Sequence, residues 1–184
     1  MISCKCKAVV IAFFGVLLLL PPACRAYTAR VVGISGGGDV LTVSVNGSTR
    51  KVRLYGIECP RFGQPFHDKS LYMAKYLSLE RDVEISPIFT DNYGLQNGLV
   101  RIQGSGQYLN SQLVGYGLAW VKPCDSKSPL CKEWKKIEGF AQMNFVGLWA
   151  QPPAIAPWEW RKAERKQILD RMKPSKKEKL APLQ

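Results

Sequence analysis

Residues 52–61 of this 184-residue chain read Val52-Arg53-Leu54-Tyr55-Gly56-Ile57-Glu58-Cys59-Pro60-Arg61. The stretch predicts a strand that carries an arginine and then stops at a carboxylate, a cysteine and a proline. Proline ends it because it has no backbone N–H and fixes its own φ. A rigid sheet presents polar side chains to a ligand where a strand ends, so we expect Arg53 and Glu58 to belong to a functional site.

Further strands are predicted on both sides of this stretch. Residues 28–34 and 39–45 are rich in β-forming residues, with a glycine turn at 36–38 between them and Asn46-Gly47 as a hairpin signal after them. Strand patterns return at 82–88 and 98–102, and helical patterns occupy 70–77, 109–115 and 132–146. The sequence therefore predicts about five strands and three helices, arranged as a small barrel or meander.

Two features of the C-terminal half complete this outline. On the third helix, a stripe of Trp134, Ile137, Ala141 and Phe145 indicates core packing. Residues 152–160 contain three prolines and two tryptophans, and we expect an extended clamp that lies back on the domain.

The composition predicts a folded, basic protein. Hydrophobic residues make up 46% of the chain, which is enough for a core, and the formal net charge is +12. Such a charge favours attraction to nucleic acid, another polyanion or an acidic membrane surface, and a solvated basic surface is the alternative.

The N-terminus has the pattern of a secretory signal peptide. Lys5 and Lys7 precede an apolar run at 8–20, two prolines and a small residue at Ala26. We expect residues 1–26 to be cleaved near Ala26 and the protein to be exported to the periplasm or the medium; lipidation at Cys24 or an uncleaved anchor is the alternative. Residues 1–26 hold three of the excess positive charges, so the mature chain keeps +9.

Export affects how the cysteines are interpreted. In an oxidising compartment Cys124 and Cys131 are predicted to form a disulfide that closes a short loop before a helix. A metal site is the alternative, but it would need more ligands than His67 and Cys59 offer. Cys59 is then expected to be a buried free thiol.

The chain divides into three predicted parts. Residues 1–26 form the signal peptide, 27–160 the folded domain and 161–184 a partly helical, solvated tail. The tail carries nine Lys or Arg against three Asp or Glu. It would add sequence-independent attraction to nucleic acid through counterion release.

Three side chains suggest phosphodiester chemistry. Asp39 lies 14 residues before Arg53, across a hairpin that brings both to one end of the sheet. Asp39 and Glu58 would then offer two oxygen ligands to a hard cation such as Ca²⁺, and Arg53 would bind a phosphate oxygen. The alternative is a turn-capping Asp39 and an ordinary surface ion pair between Arg53 and Glu58.

Taken together, the motifs resemble the staphylococcal nuclease (thermonuclease) family. The Cys124/Cys131 pair and Pro157-Trp158-Glu159-Trp160-Arg161 resemble its exported bacterial branch. The resemblance implies a five-stranded OB-fold barrel with three helices and Ca²⁺-dependent cleavage of DNA and RNA. The motifs that carry it are Asp39-Val40-Leu41-Thr42-Val43, residues 52–60, Gly63-Gln64-Pro65-Phe66, Asp91-Asn92-Tyr93-Gly94, Gly115-Tyr116-Gly117-Leu118-Ala119 and Gly147-Leu148-Trp149.

The resemblance assigns roles to individual residues. It implies phosphate binding by Arg53. We expect Tyr93 to be a further substrate-binding residue, and Arg61 to help bind substrate by adding positive charge beside Arg53. It implies Ca²⁺ ligation by Asp39 and by Glu58, which is one methylene longer than the family's usual aspartate.

Two catalytic positions depart from the family pattern. Arg61 stands where the family has its general-base glutamate, and Leu95 stands where it has its second catalytic arginine. An arginine does not accept a proton from water at neutral pH, and leucine offers no charge to a transition state. We therefore expect a nuclease-family protein with weak or lost hydrolysis. The alternatives are a non-catalytic module that binds nucleic acid or another polyanion, and an envelope scaffold that kept only the barrel.

Overall fold

The computed structural model describes residues 25–172. Almost all of the predicted signal peptide, and the tail from residue 173 onward, lie outside the described residues. Five strands form a closed barrel in the order β1-β2-β3-β6-β5. Their bounds are β1 Tyr27–Ser35, β2 Val40–Val45, β3 Ser48–Leu54, β5 Asp82–Thr90 and β6 Gln96–Ile102.

The barrel begins as an antiparallel meander and closes with one parallel pair. β2 pairs with both β1 and β3, and β5 pairs with both β1 and β6, in each case antiparallel. β3 and β6 run parallel, with Arg53 opposite Asn97. Asn46 and Gly47 both have positive φ, as a two-residue hairpin between β2 and β3 requires. The predicted five-stranded barrel is confirmed.

The barrel interior is filled by β-branched and leucine side chains from alternate strand positions. Each fully buried side chain of this kind stabilises the fold by about 1.5–3 kcal/mol. Those with no exposed surface include Val31, Leu41, Val43, Val52, Val83, Ile85 and Val100.

Residues 52–61 differ from the single strand predicted for them. β3 ends at Leu54, a turn follows at Tyr55-Gly56, and Ile57–Glu58 form a separate short strand, β4, that pairs with β7 at Trp120–Val121. Gly56 has a φ of 73°, and a Cβ there would come within 2.6 Å of the Trp134 ring. The break arises because the chain leaves the barrel under that ring, a contact that strand periodicity does not reveal.

Residues 25–172 also contain four helices and one turn of 3₁₀ helix. They are α1 His67–Ser78, α2 Leu109–Gly115, α3 Pro129–Met143, the 3₁₀ turn Gly147–Ala150 and α4 Pro157–Met172. Three helices were predicted, and α4 is additional. The prediction of an extended clamp at 152–160 is therefore wrong from Pro157 onward. The chain is helical there, because proline is well suited to the first turn of a helix. The predicted stripe holds for Trp134 and Ala141, but Phe145 lies beyond α3 and is 68% exposed.

The cysteines have the states expected from the sequence. Cys124 and Cys131 form a disulfide that ties the loop after β7 to the first turn of α3. Cys59 is a buried free thiol, and burial raises its pKa well above the ordinary value. Within residues 25–172, no helix is long and apolar enough to cross a membrane.

Candidate functional site

The glycine turn between β1 and β2 positions Asp39. A Cβ on Gly37 would lie 2.0 Å from the Pro60 carbonyl oxygen, so only glycine lets this turn contact the chain after β4. The backbone N–H of Leu54 donates to the Asp39 carbonyl oxygen at 2.8 Å. Asp39 and the end of β3 therefore meet at one rim of the barrel, as the hairpin geometry predicts.

Two carboxylates lie close together at this rim and are largely hidden from water. Asp39 is 3% exposed and Glu58 is 7% exposed. Burial and the neighbouring Glu58 carboxylate raise the pKa of Asp39, whereas Arg53 and Arg61 act in the opposite direction. The four charged side chains predicted for the site therefore interact through space in the folded protein.

Arg53 is held from the β5–β6 turn. Its Nη1 lies 3.6 Å from Oδ2 of Asp91, and its side chain is 37% exposed. The other oxygen of Asp91 accepts hydrogen bonds from the backbone N–H groups of Tyr93 and Leu95, at 3.0 and 2.9 Å. One carboxylate thus orders the turn and orients the arginine toward solvent.

Tyr93 and Leu95 lie on this same turn. The Tyr93 side chain is almost fully exposed, so its ring is free to stack on a flexible ligand. Leu95 is half-buried directly before β6 and adds no charge. The structure therefore places both residues at the barrel rim that carries Arg53.

The alternative interpretation expected an ion pair between Glu58 and Arg53, but Glu58 pairs with a different arginine. The two oxygens of Glu58 accept hydrogen bonds from the two terminal nitrogens of Arg161, which comes from the first turns of α4. This pair joins residues that are 103 positions apart in the chain. The hydrogen bond to Glu58 raises the pKa of Arg161 further, so the guanidinium stays charged.

Gln64 fastens the segment before α4 to the loop after β4. Its side-chain N–H group donates to the Ile155 carbonyl oxygen at 2.7 Å, and its side-chain oxygen accepts from the Arg61 backbone N–H at 2.9 Å. Gln64 is 5% exposed, so both contacts are sheltered from water. They fix Arg61 and the base of α4 relative to one another.

The donor set does not fit a Ca²⁺ ion in this arrangement. Ca²⁺ takes six to eight oxygen ligands. Within residues 25–172 no group of three or more His, Cys, Asp or Glu side chains is placed to hold a metal. Asp39 and Glu58 converge, but both oxygens of Glu58 are already engaged by Arg161.

Sequence reasoning found most of this rim but missed Arg161 and Asp91. Arg161 was assigned to a solvated tail, although it directly follows Trp158-Glu159-Trp160, a motif that already contributed to the family resemblance. Asp91 appears in the sequence analysis only within the motif Asp91-Asn92-Tyr93-Gly94, which predicts no contact with Arg53. An aspartate five residues before the next strand, in the sequence Asp91-Asn92-Tyr93-Gly94, was the signal for its role in the turn, where its side chain accepts from the N–H groups of Tyr93 and Leu95.

A cleft of about 280 Å³ lies beside Arg53 and the disulfide loop. Asn97, the residue opposite Arg53 on β6, is one of its walls. Tyr55 and Phe89 form another and pack edge to face, with ring centroids 6.1 Å apart. The charged residues in its lining are Lys122 and Asp125, so the cleft combines aromatic surface with one charge of each sign.

Comparison with known proteins identifies the family. The family model described as staphylococcal nuclease homologue matches residues 51–151. A protein named micrococcal nuclease from Shigella flexneri is 31% identical over 157 residues, which covers 82% of this chain and 89% of that protein. An uncharacterized endonuclease from Haemophilus influenzae is 30% identical over 138 residues, or 75% of each chain. Protein ParB from Escherichia coli is 28% identical over 158 residues, covering 82% of this chain and 88% of that protein. The chain therefore belongs to the staphylococcal nuclease family.

Proposed function

We propose that this protein binds single-stranded DNA or RNA at the barrel rim, with phosphodiester hydrolysis that is weak or lost. The observation that carries the proposal is the position of Arg61. Its positive charge opposes the rise in the pKa of Asp39, so an exposed arginine stands at the position where the family resemblance calls for a general-base carboxylate. Arg53 and Arg61 together attract phosphate but do not activate water.

The surroundings support binding of a flexible polyanion. Arg53 is partly exposed, Tyr93 is free to stack on a base, and the adjacent cleft has aromatic walls. Stacking on an aromatic ring stabilises each bound base by about 1–3 kcal/mol and tolerates any sequence. The exposed part of α4 adds Lys162, Lys166 and further basic residues, which strengthen phosphate attraction without specificity.

The chemical deficit is large enough to matter. Loss of a general base costs about 10²–10⁴-fold in rate, and loss of one electrostatic donor about 10²–10³-fold. Such losses do not simply add within one site, so some hydrolysis can survive. Names of relatives that refer to nuclease activity indicate ancestry and do not decide this point.

The proposal includes the location. The basic start, the apolar run and the small residue at Ala26 support export to the periplasm or the medium. Pulse labelling in a bacterial host, followed by separation of periplasm and cytoplasm, would reveal a shortened chain outside the cytoplasm. A full-length chain that stays in the cytoplasm would contradict this part of the proposal.

The central experiment measures binding and cleavage side by side. Purified protein is mixed with fluorescent single-stranded DNA or RNA at several salt concentrations, with Ca²⁺ or with chelator. We expect salt-sensitive binding that Arg53→Ala weakens, and little cleavage in either condition. Rapid Ca²⁺-dependent cleavage that Arg53→Ala abolishes would overturn the proposed loss of hydrolysis.

A gain-of-function variant tests the cause of the deficit. Arg61→Glu combined with Leu95→Arg restores both family residues, and we expect it to cleave faster than the wild type in the same assay. Arg61→Gln combined with Leu95→Gln is the matched control, because it changes the same positions without supplying a base or a charge. Equal rates for the two double variants would show that the deficit has another origin.

A further inference from the structure

Two acidic side chains lie at the barrel rim with little access to water. Burying an ionised carboxylate is costly unless a counter-charge compensates it. The family resemblance implies that a Ca²⁺ ion provides this counter-charge. In this chain, Glu58 already has a counter-charge, since both of its oxygens accept hydrogen bonds from Arg161.

The contact between Arg161 and Glu58 differs from an ordinary surface ion pair in the burial of its carboxylate. The Glu58 side chain is 9% exposed, whereas Arg161 is 41% exposed and approaches from the solvent side. The planar guanidinium matches the two oxygens of a carboxylate, and it is more weakly hydrated than an ammonium group. Both terminal nitrogens of Arg161 are engaged by Glu58, so the contact satisfies this carboxylate from the solvent side.

The base of α4 is fixed independently of this ion pair. Pro157 is buried, and the backbone N–H groups of Glu159 and Trp160 donate to the Ala156 carbonyl oxygen. The Gln64 side chain holds the preceding segment through Ile155. Arg161 therefore reaches Glu58 from a helix whose first turn is already anchored, whereas the rest of α4, from residue 162 onward, is exposed.

We propose that Arg161 is the built-in cation of this site: its guanidinium takes the place of a divalent metal at Glu58, and the wild-type protein binds no Ca²⁺ there. The positive charge comes from the C-terminal helix. Removing that charge opens a site for a hard, oxygen-preferring cation such as Ca²⁺ or Tb³⁺. The proposal does not depend on nucleic-acid binding, because it concerns the ligand-free protein and one cation.

Tb³⁺ luminescence offers a local readout. Glu58 pairs with Trp120 across β4 and β7, so their side chains lie on the same face of the ribbon. Trp160 directly precedes Arg161 in α4. A Tb³⁺ ion bound by Glu58 would receive excitation energy from these indoles and emit, whereas an ion at a distant surface carboxylate would emit weakly.

The experiment titrates full-length protein with Tb³⁺, and then displaces the ion with Ca²⁺. We expect Arg161→Gln to gain a saturable signal at a concentration about tenfold or more below any seen with the wild type. The double variant with Glu58→Gln should lose that gain. Arg165→Gln, one helical turn further along the exposed face of α4, is the matched control and should behave as the wild type.

Three outcomes would overturn the proposal. One is a Glu58-dependent Tb³⁺ or Ca²⁺ signal in the wild type as strong as in Arg161→Gln. Another is a folded Arg161→Gln variant, checked by circular dichroism, that gains no signal. If that variant does not fold, the comparison of wild type with Glu58→Gln still decides, because a loss of Ca²⁺ binding in Glu58→Gln would contradict the proposal.

Discussion

The two arginine–carboxylate pairs at the rim of the barrel differ in exposure. Arg53 and Asp91 are 3.6 Å apart, with side chains 37% and 20% exposed, and the pair opens toward solvent. Arg161 and Glu58 form a two-pronged contact whose carboxylate is 9% exposed. An exposed ion pair contributes about 0–1 kcal/mol to stability and can release its arginine to a ligand. A buried carboxylate cannot lose its partner cheaply.

The difference in exposure suits one ion pair to ligand binding and the other to stabilising the fold. We infer that the Arg53 side of the rim is the one that exchanges partners with phosphate, because water already reaches it. The Arg161 side connects the barrel to its C-terminal helix. The same residue type therefore has two roles, and burial of the carboxylate decides which one applies.

Disturbing the close contact between the glycine turn that carries Asp39 and the chain after β4 should have the largest effect. Gly37→Ala would place a Cβ 2.0 Å from the Pro60 carbonyl oxygen, so the turn carrying Asp39 must move. We expect a loss of about 3 kcal/mol in the free energy of unfolding, measured by urea denaturation. Gly139→Ala is the control, because a Cβ there meets nothing within 4 Å in α3 and should be neutral or slightly stabilising. Equal stability of the two variants would contradict the tight packing of this turn.

Breaking each ion pair separately tests the comparison itself. Arg161→Gln leaves the Glu58 carboxylate sheltered and without its guanidinium, and we expect a loss of about 2 kcal/mol, below the full cost of a buried pair because Arg161 is partly exposed. Arg53→Gln should change stability by less than about 1 kcal/mol. Urea unfolding of both variants at neutral pH and low salt makes the measurement. A larger loss for Arg53→Gln would reverse the comparison.

Binding to single-stranded DNA should show the opposite ranking. Arg61→Gln and Arg53→Gln each remove a charge that faces solvent, and each should weaken binding several-fold and lower the salt slope by about one. Arg161→Gln should change the slope less, because Glu58 already balances its charge. Fluorescence anisotropy at several salt concentrations measures the slopes, with Lys132→Gln on the exposed face of α3 as the control. A slope change for Arg161→Gln as large as that for Arg53→Gln would contradict the division of roles.

The smallest effect concerns Asp39 and pH. Because burial and Glu58 raise the pKa of Asp39 in the folded protein, the folded state binds the Asp39 proton more tightly than the unfolded state. This contribution to stability is fully present below the unfolded value of 3.8 and is lost as pH rises through the folded pKa. Asp39→Asn should therefore stabilise the protein at pH 7 but not at pH 3. Urea midpoints at both pH values measure this, with the exposed Glu133→Gln as control, and a gain that persists at pH 3 would contradict the sign.

Sequence patterns predicted the barrel better than its edges. Alternating residues at 39–45 and the Asn46-Gly47 turn are local signals, and they located β2 and the hairpin to β3 within a residue or two. The break at Tyr55-Gly56 was missed because its cause is the Trp134 ring, which arrives from α3 far along the chain. The partly helical, solvated tail predicted from residue 161 agrees with the exposed part of α4, but the start of this helix was missed because Pro157 and the two tryptophans were predicted to be extended.

Local sequence patterns were enough to predict the barrel, the disulfide and four of the charged residues at the rim, namely Asp39, Arg53, Glu58 and Arg61. They were enough because strand alternation, turn glycines and cysteine spacing are properties of neighbouring residues. Only the tertiary structure decided how the charges are paired. Glu58 and Arg161 meet across 103 residues, because the chain just before α4 and the first turn of that helix are anchored beside the barrel. Burial then stabilises that pairing, because a carboxylate sheltered from water is destabilised when its cation is removed.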